Sequence, residues 1–248
     1  MTRIVNNCVA LVCLCLFWGQ SLRAADASHS EQIKWGNESV FNEEHNTLGL
    51  FSGVLGGQIV LAGGTSDDYS RWGRNAVCLS ENAGFALYED VLSKPLAYGA
   101  SITLSDGILC IGGRDSSQCY KDVFLVTMQQ GKLNVSEDWP PLPFPLSNAA
   151  GALLDNKVYL FGGRKSVSPS RLSDSFFVLD LSNKSRGWKE LPGYPGCVRE
   201  DAILVVQNNG VSPCLYLLGG QTETEEGLSS CLTDGYVSVS YTHLTLPT

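Results

Sequence analysis

The chain has 248 residues, 26 of them glycine, and a formal net charge of −8. That balance argues against nucleic acid or an anionic membrane surface as a partner. The length supports a sizeable core, and with an internal repeat it reads as one domain rather than two.

The N-terminus reads as a targeting segment. Arg3 is followed by an apolar run over 9–18, too short to span a bilayer, and Ala25-Asp26-Ala27 offers the small residues a signal peptidase reads. Residues 1–27 are therefore expected to be a secretory signal. Its removal leaves an exported, periplasmic or secreted protein with no membrane attachment. Cys13 and Cys15 lack the small preceding residue of a lipid-attachment site. Cys78, Cys110, Cys119, Cys197, Cys214 and Cys231 remain, an even number that permits disulfides after export. Cys110 lies inside an apolar run, where cysteine acts as a small hydrophobe. No CxxC spacing occurs, so no zinc site is expected.

One stretch then recurs four times, an apolar run ending in a glycine pair. It reads Ile59-Val60-Leu61-Ala62-Gly63-Gly64, Ile108-Leu109-Cys110-Ile111-Gly112-Gly113, Val158-Tyr159-Leu160-Phe161-Gly162-Gly163 and Leu215-Tyr216-Leu217-Leu218-Gly219-Gly220. A period of about 50 residues is that of a kelch-type β-propeller. The unbroken apolar run suits a strand covered on both faces, and the glycines suit a sharp turn and a close backbone approach.

Each repeat predicts four strands. The first repeat places them at 48–55, 58–64, 76–80 and 84–90, the second at 98–104, 108–113, 122–128 and 132–139. The third places them at 148–154, 158–163, 175–181 and 187–191. The fourth supplies three, at 201–206, 214–220 and 231–239. Trp139 and Trp188 sit on outer strands, where they are expected to wedge between blades. A four-stranded sheet this short cannot cover both of its own faces, and radial stacking does so. Residues 33–35 look like an outer strand without its blade. Residues 240–248 lack the Trp and the turn of a fourth strand and read as a tail foreign to the fold. The propeller is assigned to 28–239.

No conventional catalytic motif is present. His29, His45 and His243 are the histidines of the chain, and no GxSxG or Walker loop occurs. The candidate site is the mouth of the propeller, where first strands and inter-strand loops converge. Arg199, Glu200 and Asp201 lead into the fourth repeat. Together they form either a clamp for a carboxylate substrate or a surface ion cluster. Tyr98 begins the second repeat, its hydroxyl facing the channel or capping the core. Arg114 and Arg164 follow glycine pairs directly and point either at the mouth or into solvent. Asp67, Asp68, Tyr69 and Trp72 form either the rim of a sugar site or an ordered polar loop.

The segment from Leu48-Gly49-Leu50-Phe51-Ser52-Gly53 to Gly63-Gly64, followed by Leu96-Ala97-Tyr98-Gly99-Ala100-Ser101 and Ile111-Gly112-Gly113, resembles the last blades of the kelch-type sialic acid mutarotases (N-acetylneuraminate epimerases). The stretch from Trp188-Lys189-Glu190-Leu191 to Pro195-Gly196-Cys197-Val198-Arg199-Glu200-Asp201 resembles their early blades. Late blades ahead of early ones is the order of the cyclically permuted mutarotases. The resemblance covers roughly 46–237. It implies a six-bladed propeller, of which four blades are present here as a truncated chain. It also implies N-acetylneuraminate as the small-molecule partner, interconversion of its α and β anomers, and no cofactor. A catalytic Glu and Arg in an Asn-Gly-Glu variant of the glycine pair are implied too. The four pairs here run on to Thr65, Arg114, Arg164 and Gln221, so that pair is expected in a blade after residue 239. Leu96 is another departure, since the related motif has Arg there. The alternative reading is a non-catalytic secreted kelch module that binds glycan or protein.

Overall fold

The structure is a computed structural model, described here over residues 48–80, 84–224, 226–240 and 243–245. The segment 1–27 expected to be a signal, the run 33–35 and most of the tail lie outside the described residues.

Four antiparallel four-stranded sheets follow one another along the chain. Blade 1 holds β1 (Phe51–Leu55), β2 (Gln58–Ala62), β3 (Ala76–Ser80) and β4 (Gly84–Tyr88). Blade 2 holds β5 (Ala100–Thr103), β6 (Ile108–Ile111), β7 (Val123–Gln129) and β8 (Lys132–Ser136). Blade 3 holds β9 (Ala150–Leu154), β10 (Lys157–Phe161), β13 (Phe176–Asp180) and β14 (Lys189–Leu191). Blade 4 holds β15 (Ile203–Asn208), β16 (Pro213–Leu218), β19 (Gly235–Ser240) and β20 (His243–Thr245).

The second strands of blades 2 and 3 are the most deeply covered. All four residues of β6 are buried, as are Val158 to Phe161 of β10. The first strands of blades 1 to 3 alternate instead, with Phe51, Gly53 and Leu55 buried on β1. The first strands β1, β5, β9 and β15 are neighbours in that order. Hydrogen bonds tie β1 to β5, from Ser52 N to Ser101 Oγ (3.0 Å) and from Val54 N to Thr103 Oγ1 (3.2 Å).

Three apolar seams join the blades. Phe51, Val60 and Cys78 of blade 1 meet Ile108, Cys110 and Phe124 of blade 2. Leu109, Ile111 and Leu125 meet Val158, Leu160 and Phe177 across the second seam. Tyr159, Phe161 and Phe176 meet Leu204, Leu217 and Tyr236 across the third. Among the described residues no such cluster joins blade 4 to blade 1. Trp139 and Trp188 both pack on the second seam. Trp188 also donates from Nε1 to the Pro140 carbonyl (2.9 Å), so it ties blade 3 to the linker after blade 2.

The glycine pairs explain the seams. Both glycines of every pair have positive φ, between 58° and 100°. The first donates within its own blade, for instance Gly112 N to Asp122 O (2.8 Å). The second donates across the seam: Gly64 to Leu96 O, Gly113 to Leu146 O and Gly163 to Arg199 O, each at 2.8 Å. That carbonyl lies where a Cβ on the first glycine would stand. A Cβ on Gly63 would be 2.3 Å from Leu96 O, on Gly112 2.2 Å from Leu146 O, and on Gly162 2.5 Å from Arg199 O.

Three features differ from the sequence reading. Two small hairpins fill the loops after the glycine pairs, β11 (Arg164–Ser166) with β12 (Arg171–Leu172), and β17 (Gln221–Glu223) with β18 (Ser229–Cys231). The second of these takes Cys231 out of the third strand of blade 4, which begins at Gly235. And blade 4 has a fourth strand, because His243–Thr245 pairs antiparallel with β19. The six cysteines from Cys78 onward are all free thiols, Cys197 and Cys231 exposed and the other four buried.

Gly112 and Gly219 have similar φ, 64° and 58°, yet only Gly112 has a carbonyl in the place of its Cβ; at Gly219 the nearest atom would be 3.4 Å away. Gly112→Ala is expected to cost about 3 kcal/mol, since it forces the seam open as well as straining the backbone. Gly219→Ala should cost about 1 kcal/mol, the backbone strain alone. Equal losses in urea titrations of the two variants would show that the seam carbonyl is not the constraint.

Candidate functional site

Each first strand is preceded by a residue that turns the chain into it. These residues are Gly49, Tyr98, Asn148 and Asp201, with φ of 65°, 60°, 55° and 53°. They form a hydrogen-bonded series at the inner ends of the blades. Tyr98 N donates to Gly49 O (2.7 Å), Asn148 N to Tyr98 O (2.6 Å) and Asp201 N to Asn148 O (3.0 Å). The Tyr98 ring lies over Gly49, where a Cβ would be 2.9 Å from it. The residues after the glycine pairs come to the same rim. Arg114 bridges Ala97, Arg164 bridges Ser147, and Gln221 bridges Glu200.

On the blade 1 and 2 side, Arg114 lies against two aromatic rings. Its guanidinium carbon is 4.6 Å from the Tyr98 ring centre and 5.1 Å from that of Trp72. Its one side-chain hydrogen bond among the described residues is long, 3.4 Å to the Asp115 carbonyl. Tyr69 stands beside Trp72, accepts that indole's N–H on its carbonyl (3.2 Å), and receives the Tyr98 hydroxyl on its own (3.4 Å). Burial, and next the Tyr69 hydroxyl, push the Tyr98 phenol up, so it stays protonated at neutral pH. Tyr69, Trp72, Tyr98 and Arg114 thus form a platform of aromatic faces around an under-used cation. Asp68 does not join it. Its carboxylate accepts from Ser66 Oγ, Ser70 N and Ser70 Oγ, and these bonds lower its pKa to about 2.

On the blade 3 and 4 side, Arg164 is fully engaged. It donates from Nε to Glu200 Oε2 (2.8 Å), pairs with Glu200 Oε1 through its other arm, and reaches Glu223 at 3.2 Å and Ser170 Oγ at 2.5 Å. Its hydrogen bonds to Glu200 raise its pKa further. Asp201 stands apart from this network. Its Oδ1 accepts from Asn148 Nδ2 (2.9 Å), and no ion pair holds it among the described residues. The carboxyl is open to solvent but ringed by protein, and this burial raises its pKa, with the Asn148 bond opposing and Glu200 adding to the rise.

Arg199 requires a correction. The sequence places it with Glu200 and Asp201 in either a substrate clamp or a surface ion cluster, but its side chain is 0% exposed and lies in the wall between blades 3 and 4. It pairs in two-pronged fashion with Asp234 (2.7 and 2.8 Å) and also donates to Tyr194 Oη (2.8 Å) and Gly219 O (2.8 Å). Tyr194 and Tyr236 flank its guanidinium. Burial would depress its pKa, but the Asp234 and Tyr194 bonds outweigh it and hold the group firmly charged. The cause is register. Arg199 fills the place of Leu96 and Leu146, whose carbonyls receive the second glycine of the preceding blade. Of the six candidates, the structure brings Tyr98, Arg114, Arg164, Glu200 and Asp201 to the mouth.

Asn148, Glu223 and Asp234 escaped the sequence reading. Asn148 had a signal, since Gly49, Tyr98 and Asn148 each stand fourteen residues before the first glycine of their pair. Glu223 and Asp234 had none, because their partners are remote in sequence. A cavity of about 210 Å³ lies elsewhere, lined by Leu92, Lys94, Asp122, Glu137, Trp139 and Pro141. Among the described residues no three His, Cys, Asp or Glu side chains cluster as a metal site.

The four-bladed arrangement with its glycine-pair seams makes this chain a kelch-type β-propeller, and a kelch motif is recognised over residues 145–192. Over part of its length the chain is similar to proteins named N-acetylneuraminate epimerase. It is 31% identical over 106 residues to the one from Vibrio cholerae serotype O1, covering 43% of this chain and 25% of that protein. It is 30% identical over 103 residues to the one from Yersinia pestis, covering 41% and 24%. A kelch domain-containing protein of Vibrio cholerae is 32% identical over 99 residues, 40% of this chain and 25% of that one. The matched stretch thus spans about a quarter of the length of these relatives. The solved structure of YjhT superposes with a TM-score of 0.62 over 81% of this chain and 68% of its own, at 14% identity, a likeness of fold.

The Arg199–Asp234 pair generates a pH prediction. Hydrogen bonds from Arg199 hold the Asp234 pKa below its ordinary value. Its contribution to stability is therefore complete above the unfolded carboxylate pKa of about 4 and is lost as pH falls through the lower folded value. Asp234→Asn should cost about 2 kcal/mol at neutral pH, less than for a fully enclosed pair because Asp234 is partly exposed. It should also flatten the acid limb of stability against pH. A variant whose acid limb matches the parent would show that the pair does not set it.

Proposed function

We propose that the mouth binds N-acetylneuraminate and that the protein interconverts its α and β anomers, as an exported mutarotase of the permuted type. The observation that carries this reading is Arg114, a cation held between the Trp72 and Tyr98 rings with one long hydrogen bond. A sugar acid needs both parts of that platform. Its carboxylate takes a two-pronged hydrogen bond from a guanidinium, and the apolar face of its ring stacks on an aromatic side chain. The similarity to proteins named N-acetylneuraminate epimerase supports the choice of sugar acid.

The reaction opens the pyranose at the anomeric carbon and recloses it on the other face. One group takes the anomeric hydroxyl proton and another protonates the ring oxygen, with no cofactor. The four described glycine pairs lead into Thr65, Arg114, Arg164 and Gln221, so none supplies the Glu that the resemblance implies. That feature favours the second reading, a kelch module that binds a sialylated glycan without turning it over.

The two readings separate in one measurement. α-N-acetylneuraminate freshly released by a sialidase is followed by proton NMR with and without the chain. Decay of the α signal faster than in buffer supports the mutarotase, and binding with decay at the buffer rate supports the module. In either case Arg114→Ala is expected to weaken sugar binding by about tenfold to a hundredfold, roughly 1.5 to 3 kcal/mol for a lost charged hydrogen bond. Unchanged affinity in that variant would remove the carrying observation.

A further inference from the structure

Asp201 occupies a singular place at the mouth. It ends the hydrogen-bonded series of Gly49, Tyr98, Asn148 and Asp201, with Asn148 between it and the Tyr98 edge of the aromatic platform. Its Oδ1 is fixed by Asn148 Nδ2 at 2.9 Å, and its Oδ2 has no partner among the described residues. The neighbouring cations do not neutralise it, since Arg164 is taken by Glu200 and Glu223, and Arg114 lies against its two rings. Asp68, Asp115 and Asp234 are all held low by hydrogen bonds, whereas burial moves Asp201 upward. The charged groups felt by Asp201 are Glu200, which adds to that rise, and Arg164 and Arg114, which oppose it. A reachable carboxyl with a fixed orientation, one free oxygen and a raised basicity is suited to carry a proton.

We propose that Asp201 is the proton-transfer group for the anomeric centre of the bound sugar. This rests on the reading of the mouth as an N-acetylneuraminate site. In the step, Oδ2 of the carboxylate takes the proton of the anomeric hydroxyl. The hydroxyl oxygen's electron pair forms the ketone C=O, and the bond from the anomeric carbon to the ring oxygen breaks. The ring oxygen keeps that electron pair and takes a proton from water. The hydroxide left by that water is neutralised by the proton on Asp201, so charge and atoms balance. Rotation about the bond beside the ketone exposes its other face, and the reverse sequence closes the opposite anomer.

The test separates this role from binding. The Asp201 carboxyl is observed by carbon-13 NMR in the full chain and titrated with pH, first alone, then with N-acetylneuraminate, then with its methyl α-glycoside, which has no free anomeric hydroxyl. The expected result is that both sugars bind and only the free sugar moves the Asp201 resonance and its titration midpoint. If both bind and Asp201 responds equally to both or to neither, the role of Asp201 is overturned while the sugar site stands. If neither binds, both fall. Asp201→Asn keeps a side chain that tolerates positive φ and can still pair with Asn148. It should bind the sugar within twofold of the parent. Any anomer exchange above buffer should drop at least tenfold and lose the limb that rises with pH through the Asp201 titration. Exchange in the variant equal to the parent's, at every pH, also overturns the proposal.

Discussion

In each seam the second glycine of a pair gives its N–H to a carbonyl of the next blade, and that carbonyl stands where the first glycine's Cβ would be. The two requirements reinforce each other. The hydrogen bond fixes how close the next blade comes, and the closeness forbids a side chain at the first position. The buried second strands then meet the neighbouring sheet at a set distance, and the apolar seams of Phe51 with Phe124 and Leu160 with Ile111 can close. Most of the favourable free energy comes from that burial, since hydrogen bonds contribute little net. The glycines decide which surfaces are buried together.

The mouth is a consequence of the same geometry. The chain leaves the seam carbonyl, passes one residue that bridges to the loop of its own blade, and turns through a left-handed residue into the first strand. Leu96, Ala97 and Tyr98 do this in blade 2, Leu146, Ser147 and Asn148 in blade 3, and Arg199, Glu200 and Asp201 in blade 4. The first member of each trio is committed to the wall and the third to the inner rim. Function can vary at the third position without disturbing the seam, and there Gly49, Tyr98, Asn148 and Asp201 differ in every blade.

This explains what the sequence made legible. The blades were readable because an apolar run and two glycines are local signals with a steric cause. Strands two and three of the first three repeats fall within about two residues of where the pattern placed them. The hairpins at 164–172 and 221–231 were not, since their pairing depends on polar loops with no periodicity. Arg199, Glu200 and Asp201 read as one cluster because they are adjacent. Successive residues of an extended chain face opposite ways, which separates Arg199 from Glu200, and the left-handed turn at Asp201 sends the third side chain elsewhere again. Arg199 points into the wall toward Asp234, and Glu200 points to Arg164, a residue of the preceding blade. Asp234 and Glu223 could be recognised only once the blades had brought them to those arginines.

The three arginines illustrate how satisfaction and availability exclude each other. Arg199 is buried with every arm of its guanidinium bonded, and its charge serves the wall. Arg164 reaches the rim, but Glu200, Glu223 and Ser170 already provide the oxygens a ligand would bring. A carboxylate arriving there would have to displace two others and leave them facing each other without a cation. Arg114 has aromatic faces in place of acceptors, so its charge is stabilised without its donors being consumed. An incoming carboxylate gains those donors and displaces only a long bond to Asp115 O. A sequence that puts arginine after two glycine pairs thus builds one strut and one open hand, and the difference lies in what the loop of the next blade brings. Glu200 and Glu223 come to the first, and no carboxylate among the described residues pairs with the second.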